Sequence, residues 1–439
     1  MKKITFVLLA FLSYAVKSQT VNELSESFLN KMLRGSYDSC RSYFDASVLD
    51  KINPQMIQSM WEKIPNYVGE FKSYENVRSE KQDTLEVVLM TCAFEKTKLD
   101  LKLVYNTPKK IVGIFFQPVK SKAVYNVPEY YRVEKLYETK LELKTGDYKM
   151  PGMLCVPNNT ENPPVVIFVH GSGPNDKDET LGPNKVLKDL ALGLASNGIA
   201  SYRYDKRTLA EAQKMSSLQD KIGLEEEVIE DVLSAVKLLR NHPTTKSSKI
   251  YVAGHSLGAM CAPLIAKKGK DISGIIMLAG PARPFEDMLL EQFTYLFNLD
   301  SIIDADEKKS LSDLEVQIKK VKDPKQLKTA KASELPLGQP SYYWQSIKKY
   351  NQVQTAKGVK QPILVLQGKR DYQVTMTDFE IWKKELENNP KNQFISYEGL
   401  NHLFIKGEGK CTPAEYQVSG NVQEQVIKDI CAWIKAFQK

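Results

Sequence analysis

Gly254-His255-Ser256-Leu257-Gly258 is a spacing that can turn a serine into a nucleophile. It lies inside "KIYVAGHSLGAMCAPLIAKK", where a mostly apolar run enters the glycines and a helix-like run leaves them. In a G-x-S-x-G turn the serine sits in strained backbone between strand and helix, which pushes its hydroxyl clear of the main chain. Glycine flanks it because side chains there would collide with neighbouring elements. A serine hydroxyl is a poor nucleophile without a base. The chain has four histidines: His170, His242, His255 and His402. His255 lies within the turn and is expected to point away from the serine. His242, in "RNHPTT", belongs to a surface loop, and His170 ends an early strand. His402, in "YEGLNHLF", follows a late strand and precedes the final helix, which makes it the expected base. A carboxylate must then fix the imidazole tautomer and stabilise its charged form. Asp371, in "LVLQGKRDYQV", follows the strand "ILVL" and is the expected acid, ahead of Asp378 and Glu398.

Attack of a serine on a carbonyl creates an oxyanion that needs N–H donors. One is expected from Leu257, directly after the nucleophile. The other is expected from the loop "FVHGSGPND", at Ser172, with Gly171 and Gly173 as alternatives. That loop contains neither G-K-[ST] nor G-x-G-x-x-G, so a phosphate cradle is disfavoured. Asp176, Asp178 and Glu179 follow closely; with no histidine or cysteine among them, salt bridges or loop hydrogen bonds are expected and no metal.

These residues need a scaffold that brings distant parts of the chain to one edge. From about residue 130, strand and helix signals alternate. "PVVIFVHGSG", "IASYRYD", "KIYVA", "SGIIMLAG", "PILVLQG" and "QFISYEG" are strands. "NKVLKDLALGLASNG", "LEEEVIEDVLSAVKLLRNH", "MTDFEIWKKELENN" and the final run with Val422, Val426, Ile430, Trp433 and Phe437 at helical spacing are helices. Strands apolar throughout, alternating with helices, predict a mostly parallel sheet covered on both faces. Residues 284–355 interrupt the alternation with helices only. Residues 21–120 differ: two helical runs precede four strand-like runs, predicting a small α+β domain with no histidine.

The serine turn, the glycine-rich loop and the order Ser256, Asp371, His402 together resemble the α/β-hydrolase superfamily. More closely, "HGSGPND" with the following Asp178 and Glu179, and "GHSLG", are similar to secreted bacterial carboxylesterases. The resemblance covers residues 130–439. It implies carboxylic-ester hydrolysis by a Ser-His-Asp triad, no cofactor, and a helical cap. Residues 21–120 resemble the small nuclear-transport-factor-like domain that precedes such hydrolases. One departure is Thr208 after "YRYDKR", where relatives continue into glycine. "PSYYWQSIKKYN" is similar to the family's return from cap to core, which makes Tyr342, Tyr343 and Trp344 candidates and Tyr343 with Trp344 the expected lining of an acyl pocket, although core packing is the more common use of such aromatics.

Domain expectations follow: 1–18 a signal peptide, 19–125 the small α+β domain, and 126–439 the α/β-hydrolase domain with a helical cap at 284–355. Lys2 and Lys3 followed by an apolar run from Ile4 to Val16 have the form of an export signal, and that run is too short to span a bilayer. A secreted or periplasmic protein is therefore expected, without a lipid-anchor cysteine at the cut. The formal charge of +8 is not gathered into a basic stripe with interleaved aromatics, so no nucleic-acid partner is expected. No later run is apolar enough for a membrane span. The six cysteines allow 15 full pairings and the sequence does not choose among them; Cys261 is expected to be a buried free thiol, and Cys411 with Cys431 is a candidate pair. The expected function is a serine hydrolase of small-molecule esters with short acyl chains. The alternatives are a serine peptidase or amidase of the same fold, and a catalytically silent binding protein on this scaffold.

Overall fold

The computed structural model describes residues 19–49, 52–82, 84–95, 97–119 and 124–438. The export signal expected at 1–18 lies outside the described residues. The chain divides into two compact units, Met1–Ser121 and Lys122–Lys439.

The first unit is an antiparallel meander of four strands, β1 (Phe71–Gln82), β2 (Leu85–Phe94), β3 (Lys98–Tyr105) and β4 (Ile111–Pro118). One face is covered by helical residues such as Phe28, Leu29 and Met32, which are fully buried with Val88, Met90 and Leu101. The helix Val21–Leu33 begins with a capping box, in which Thr20 and Glu23 satisfy each other's backbone N–H groups. Asp100 is buried in the middle of β3 and is held by Arg78 at 2.5 Å and Thr91 at 2.7 Å.

The second unit is built on eight strands: β5 (Leu136–Lys140), β6 (Gly152–Pro157), β7 (Val165–Val169), β8 (Ala200–Tyr204), β9 (Ile250–His255), β10 (Ile272–Leu278), β11 (Ile363–Gly368) and β12 (Gln393–Tyr397). Their order across the sheet is β12-β11-β10-β9-β7-β8-β6-β5. The pairs from β12 through to β8 are parallel, and only β6 runs against the rest. The fold is thus an α/β-hydrolase sheet.

The uniformly apolar strands hide a period of two. Val165, Ile167 and Val169 enter one core; Val166 and Phe168 enter the other. In β9, Ile250 and Val252 face the first core, Tyr251 and Ala253 the second. Helices seal both sides. Glu230–Asn241, Leu257–Lys268 and Met376–Leu386 cover the first core; Val186–Ser196 and Glu424–Ala436 cover the second. Each fully buried Val, Leu or Ile adds about 1.5–3 kcal/mol relative to its exposed state.

Between β10 and β11 the chain makes the helices Phe285–Phe297, Ala305–Lys322, Pro324–Thr329, Ser341–Lys348 and Gln352–Lys357. Ala305–Lys322 buries only Leu314, Ile318 and Val321, as a surface helix does. Trp344 anchors this insertion: it is fully buried, with its ring 5.8 Å from that of Phe285. No helix of the described residues is long and apolar enough to cross a membrane.

The cysteines correct one expectation. All six are free and buried, Cys411 and Cys431 included. Both belong to the second core and are unbonded, so a shared cluster does not make a disulfide.

Candidate active site

The serine turn forms where β9 leaves the sheet. Ser256 has φ 52° and ψ −116°, backbone that L-residues adopt only under constraint. The constraint is visible on both sides. Ser256 N–H donates to Leu278 O at 2.9 Å, and the helix from Leu257 starts at once. A Cβ on Gly254 would lie 2.2 Å from Gly258 C, and one on Gly258 would lie 2.3 Å from Val169 O. Neither glycine can carry a side chain without moving the turn.

Asp371 follows β11 and His402 follows β12, so both stand at the same edge of the sheet as Ser256. Their loops are laced together: Arg370 N–H donates to Leu400 O and Lys369 N–H to Tyr397 O, each at 2.9 Å. Gly368 permits this approach, since a Cβ there would meet Leu400 O at 2.4 Å. Asn401 braces the histidine loop by accepting from Leu403 N–H at 3.0 Å and Ile405 N–H at 3.2 Å. The result is a His402 Nδ1 to Asp371 Oδ2 contact of 2.7 Å between two buried side chains. Asp371 also accepts from Gln373 N–H at 2.8 Å, Val374 N–H at 3.1 Å and Gln367 Nε2 at 3.1 Å. With Nδ1 committed as donor to the carboxylate, Nε2 of His402 is the nitrogen left to take a proton.

Ser256 and His402 line one cavity of about 140 Å³, together with Ser172, Leu181 and Leu403. A second cavity, of about 430 Å³, is lined by Ser172, Thr208, Glu227, Phe285, Pro340 and Tyr343 among others. Ser172 borders both. Tyr343 therefore lines a cavity beside the glycine-rich loop. Trp344 does not: it lies in the core, a correction to the expectation that both aromatics line an acyl pocket.

The glycine-rich loop is held from several directions. Gly171 N–H is already given to Glu179 Oε1 at 2.7 Å, so it is not available to an oxyanion. Gly171 O accepts from Lys206 Nζ at 2.8 Å, and Asn175 Nδ2 spans Gly171 O and Ser172 O at 3.2 and 3.1 Å. Among the described residues no protein acceptor takes the N–H of Ser172 or Leu257. Asp178 pairs with Arg203 at 2.9 Å and Lys185 at 3.0 Å, while Asp176 accepts from Thr180 N–H and Oγ1. These acids serve the loop, and no group of three possible metal-binding side chains exists among the described residues.

The other histidines and acids have different surroundings. Burial holds neutral His170 down at about 4, against the opposing pull of Glu179, and its ring packs edge-on to Tyr204. Asp378 accepts from Ala282 and Arg283 N–H groups and pairs with the Arg283 guanidinium at 2.7 Å. Glu398 is exposed and pairs with Lys369. Two buried residues at the site carried no functional weight in the sequence: Lys206, and its partner Glu227 at 2.5 Å. Their only signal was charge at the end of the apolar strand "SYRYDKR" and inside an amphipathic helix.

Residues 162–408 match the family model described as serine aminopeptidase, S33, and residues 25–114 match a family described as a protein of unknown function. Esterase EstD of Thermotoga maritima is 34% identical over 407 residues, 93% of each chain. Among solved structures, the Pyrococcus furiosus esterase Pf2001 is similar at 16% identity and TM-score 0.44, over 72% of this chain and 98% of that one. Est1E of Butyrivibrio proteoclasticus with ferulic acid bound is similar at 15% identity and TM-score 0.44, over 67% and 99%.

Proposed function

This chain belongs to the serine aminopeptidase S33 family and is a carboxylesterase-type serine hydrolase, and from that premise we propose that Ser256, His402 and Asp371 are its catalytic triad. The observation that carries the assignment is the 2.7 Å His402–Asp371 contact beside a cavity that Ser256 and His402 share. In this reading Ser256 Oγ attacks the ester carbonyl as His402 Nε2 takes its proton. The N–H groups of Leu257 and Ser172 bind the oxyanion. His402 returns the proton to the departing alcohol, leaving an acyl group on Ser256. Water, deprotonated by the same nitrogen, then hydrolyses that acyl-enzyme. Asp371 keeps the proton on Nδ1 throughout and stabilises the imidazolium.

Substrate size is part of the proposal. The cavity at Ser256 is only about 140 Å³ and is bounded by Leu181 and Leu403, which supports short acyl chains. Tyr343 belongs to the larger cavity on the far side of Ser172, which suits the remaining part of the ester. The test is a panel of p-nitrophenyl esters of increasing acyl length set against aminoacyl amides. Acetate and butyrate esters are expected to give the highest kcat/KM, falling at least about tenfold at longer chains. Faster cleavage of aminoacyl amides would reverse the reading in favour of a peptidase. A fluorophosphonate probe should label the protein, since a binding protein without an activated serine stays unlabelled.

Export belongs to the same proposal. The cationic start and the apolar run from Ile4 to Val16 support it. N-terminal sequencing of the protein made with its complete leader is expected to begin near Gln19; a start at Met1 would remove it.

A further inference from the structure

His255 stands inside the serine turn, yet none of the steps above uses it. Its surroundings are specific. Nε2 lies 2.9 Å from the main-chain oxygen of His402. Nδ1 lies 3.1 Å from Glu179 Oε1, in an ion-pair contact. The same Oε1 accepts the Gly171 N–H at 2.7 Å. One buried pair thus touches the loop of the base, the loop before the oxyanion and the strand that presents the nucleophile. All these partners are buried: Glu179 is 8% exposed and His255 3%.

A neutral imidazole has one N–H and one lone pair. Here both ring nitrogens face acceptors, a carbonyl and a carboxylate. Nε2–H donates to the carbonyl, whereas Nδ1 is near the carboxylate without the alignment of a hydrogen bond, so a proton on Nδ1 places a cation beside the anion. The carboxylate has the converse need. Among the described residues, Glu179 Oε2 is buried with no hydrogen-bond partner, and the one hydrogen bond at Oε1 comes from an uncharged N–H. A buried anion in that state requires a facing cation.

We propose that Glu179 and His255 form a buried carboxylate–imidazolium clamp, a positioning pair that fixes the His402 main chain and the Gly171 loop against the serine turn. The inference goes beyond the triad and rests on the roles given there to Ser256 and His402. Burial works against the charge on each partner, and the pairing overcomes it. Glu179 is brought down to about 2, chiefly by His255. His255 is held above its ordinary value by Glu179, by the His402 carbonyl and by the Asp371 carboxylate. Further titratable neighbours are the His402 ring, 4.7 Å away between centroids, and His170, whose charge also bears on Glu179.

The pH dependence follows with a definite sign. A histidine whose folded pKa is raised contributes stability that is complete below its unfolded value, about 6.5, and is lost as pH climbs through the folded value. The clamp therefore loosens on the alkaline side, and kcat of the intact enzyme falls there. Glu179→Gln keeps an oxygen for Gly171 N–H but removes the charge, so burial returns His255 to the neutral form and one of its two contacts is lost. On the full chain with p-nitrophenyl acetate, Glu179→Gln is expected to lower kcat about 10–100-fold with KM within about threefold, as loosened positioning does. The alkaline step in kcat should vanish with it. Wild-type kcat, or a reduced kcat with the alkaline step intact, would overturn the proposal, the latter because a merely structural Glu179 predicts it.

If Glu179→Gln does not fold, the wild-type protein still decides. With four histidines the ring ¹⁵N spectrum is tractable, and His255→Gln identifies the resonance by its loss. His255 is expected to be doubly protonated at pH 7.5; a neutral ring there would sink the clamp. That spectrum does not depend on Ser256 being the nucleophile, so failure of the triad and failure of the clamp are separate results.

Discussion

Ser256→Ala is expected to lower kcat for ester hydrolysis by about 10⁴–10⁶-fold and to abolish fluorophosphonate labelling, with the far-UV circular dichroism unchanged. The size follows from what is removed. Without Oγ there is no acyl-enzyme, and His402 has nothing to activate except a loosely held water. The residual rate is expected from the proposed oxyanion donors at Leu257 and Ser172 and from binding alone. The fold is spared for a separate reason. The turn is held by Ser256 N–H to Leu278 O and by the close packing of Gly254 against Gly258, and neither uses the hydroxyl. Ester hydrolysis persisting at more than a hundredth of the wild-type rate in pure protein would place the nucleophile elsewhere.

The sheet was legible in the sequence because burial on both faces leaves an unmistakable trace. "VVIFV" and "ILVL" are apolar at every position, and only a strand sealed by helices on both sides is built that way. The serine turn was legible because its backbone excludes side chains at Gly254 and Gly258. The meeting of His402 with Asp371 was legible because few histidines exist and both residues follow late strands. What escaped depends on rotation about helices and on distances across the fold. Tyr343 and Trp344 are neighbours on one helix, about 100° apart around its axis. Both pack into the first core, only Tyr343 also lines a cavity, and the sequence does not set that rotation. Cys411 and Cys431 share a core without sharing a bond. His255 was expected to point away from Ser256, but what it meets there, Glu179 and the His402 carbonyl, is set by three loops converging from distant parts of the chain.

Asp371→Asn is expected to lower kcat by about 10⁴-fold while leaving KM and the fold nearly intact. The loss depends on which way the new amide points. Asp371 Oδ1 accepts from the Gln373 and Val374 N–H groups, at 2.8 and 3.1 Å. An asparagine must keep its carbonyl oxygen there, because the reverse orientation sets its NH₂ against two backbone donors. Its NH₂ is then aimed at His402 Nδ1 and at the Gln367 amide, which lies 3.1 Å from Oδ2. To accept from that NH₂, His402 must carry its proton on Nε2, the wrong nitrogen for taking a proton from Ser256 Oγ. The amide has no comfortable alternative rotamer, so the wrong tautomer is locked in rather than merely favoured. The control is the other acid near these loops. Glu398 is exposed, with 84% of its side chain accessible, and pairs only with Lys369 at the surface. Glu398→Gln should leave kcat within about twofold, since exposed ion pairs carry little energy. If the two substitutions exchanged effects, with Asp371→Asn near wild type and Glu398→Gln nearly inactive, the acid of the triad would have been misassigned and the 2.7 Å contact would be structural.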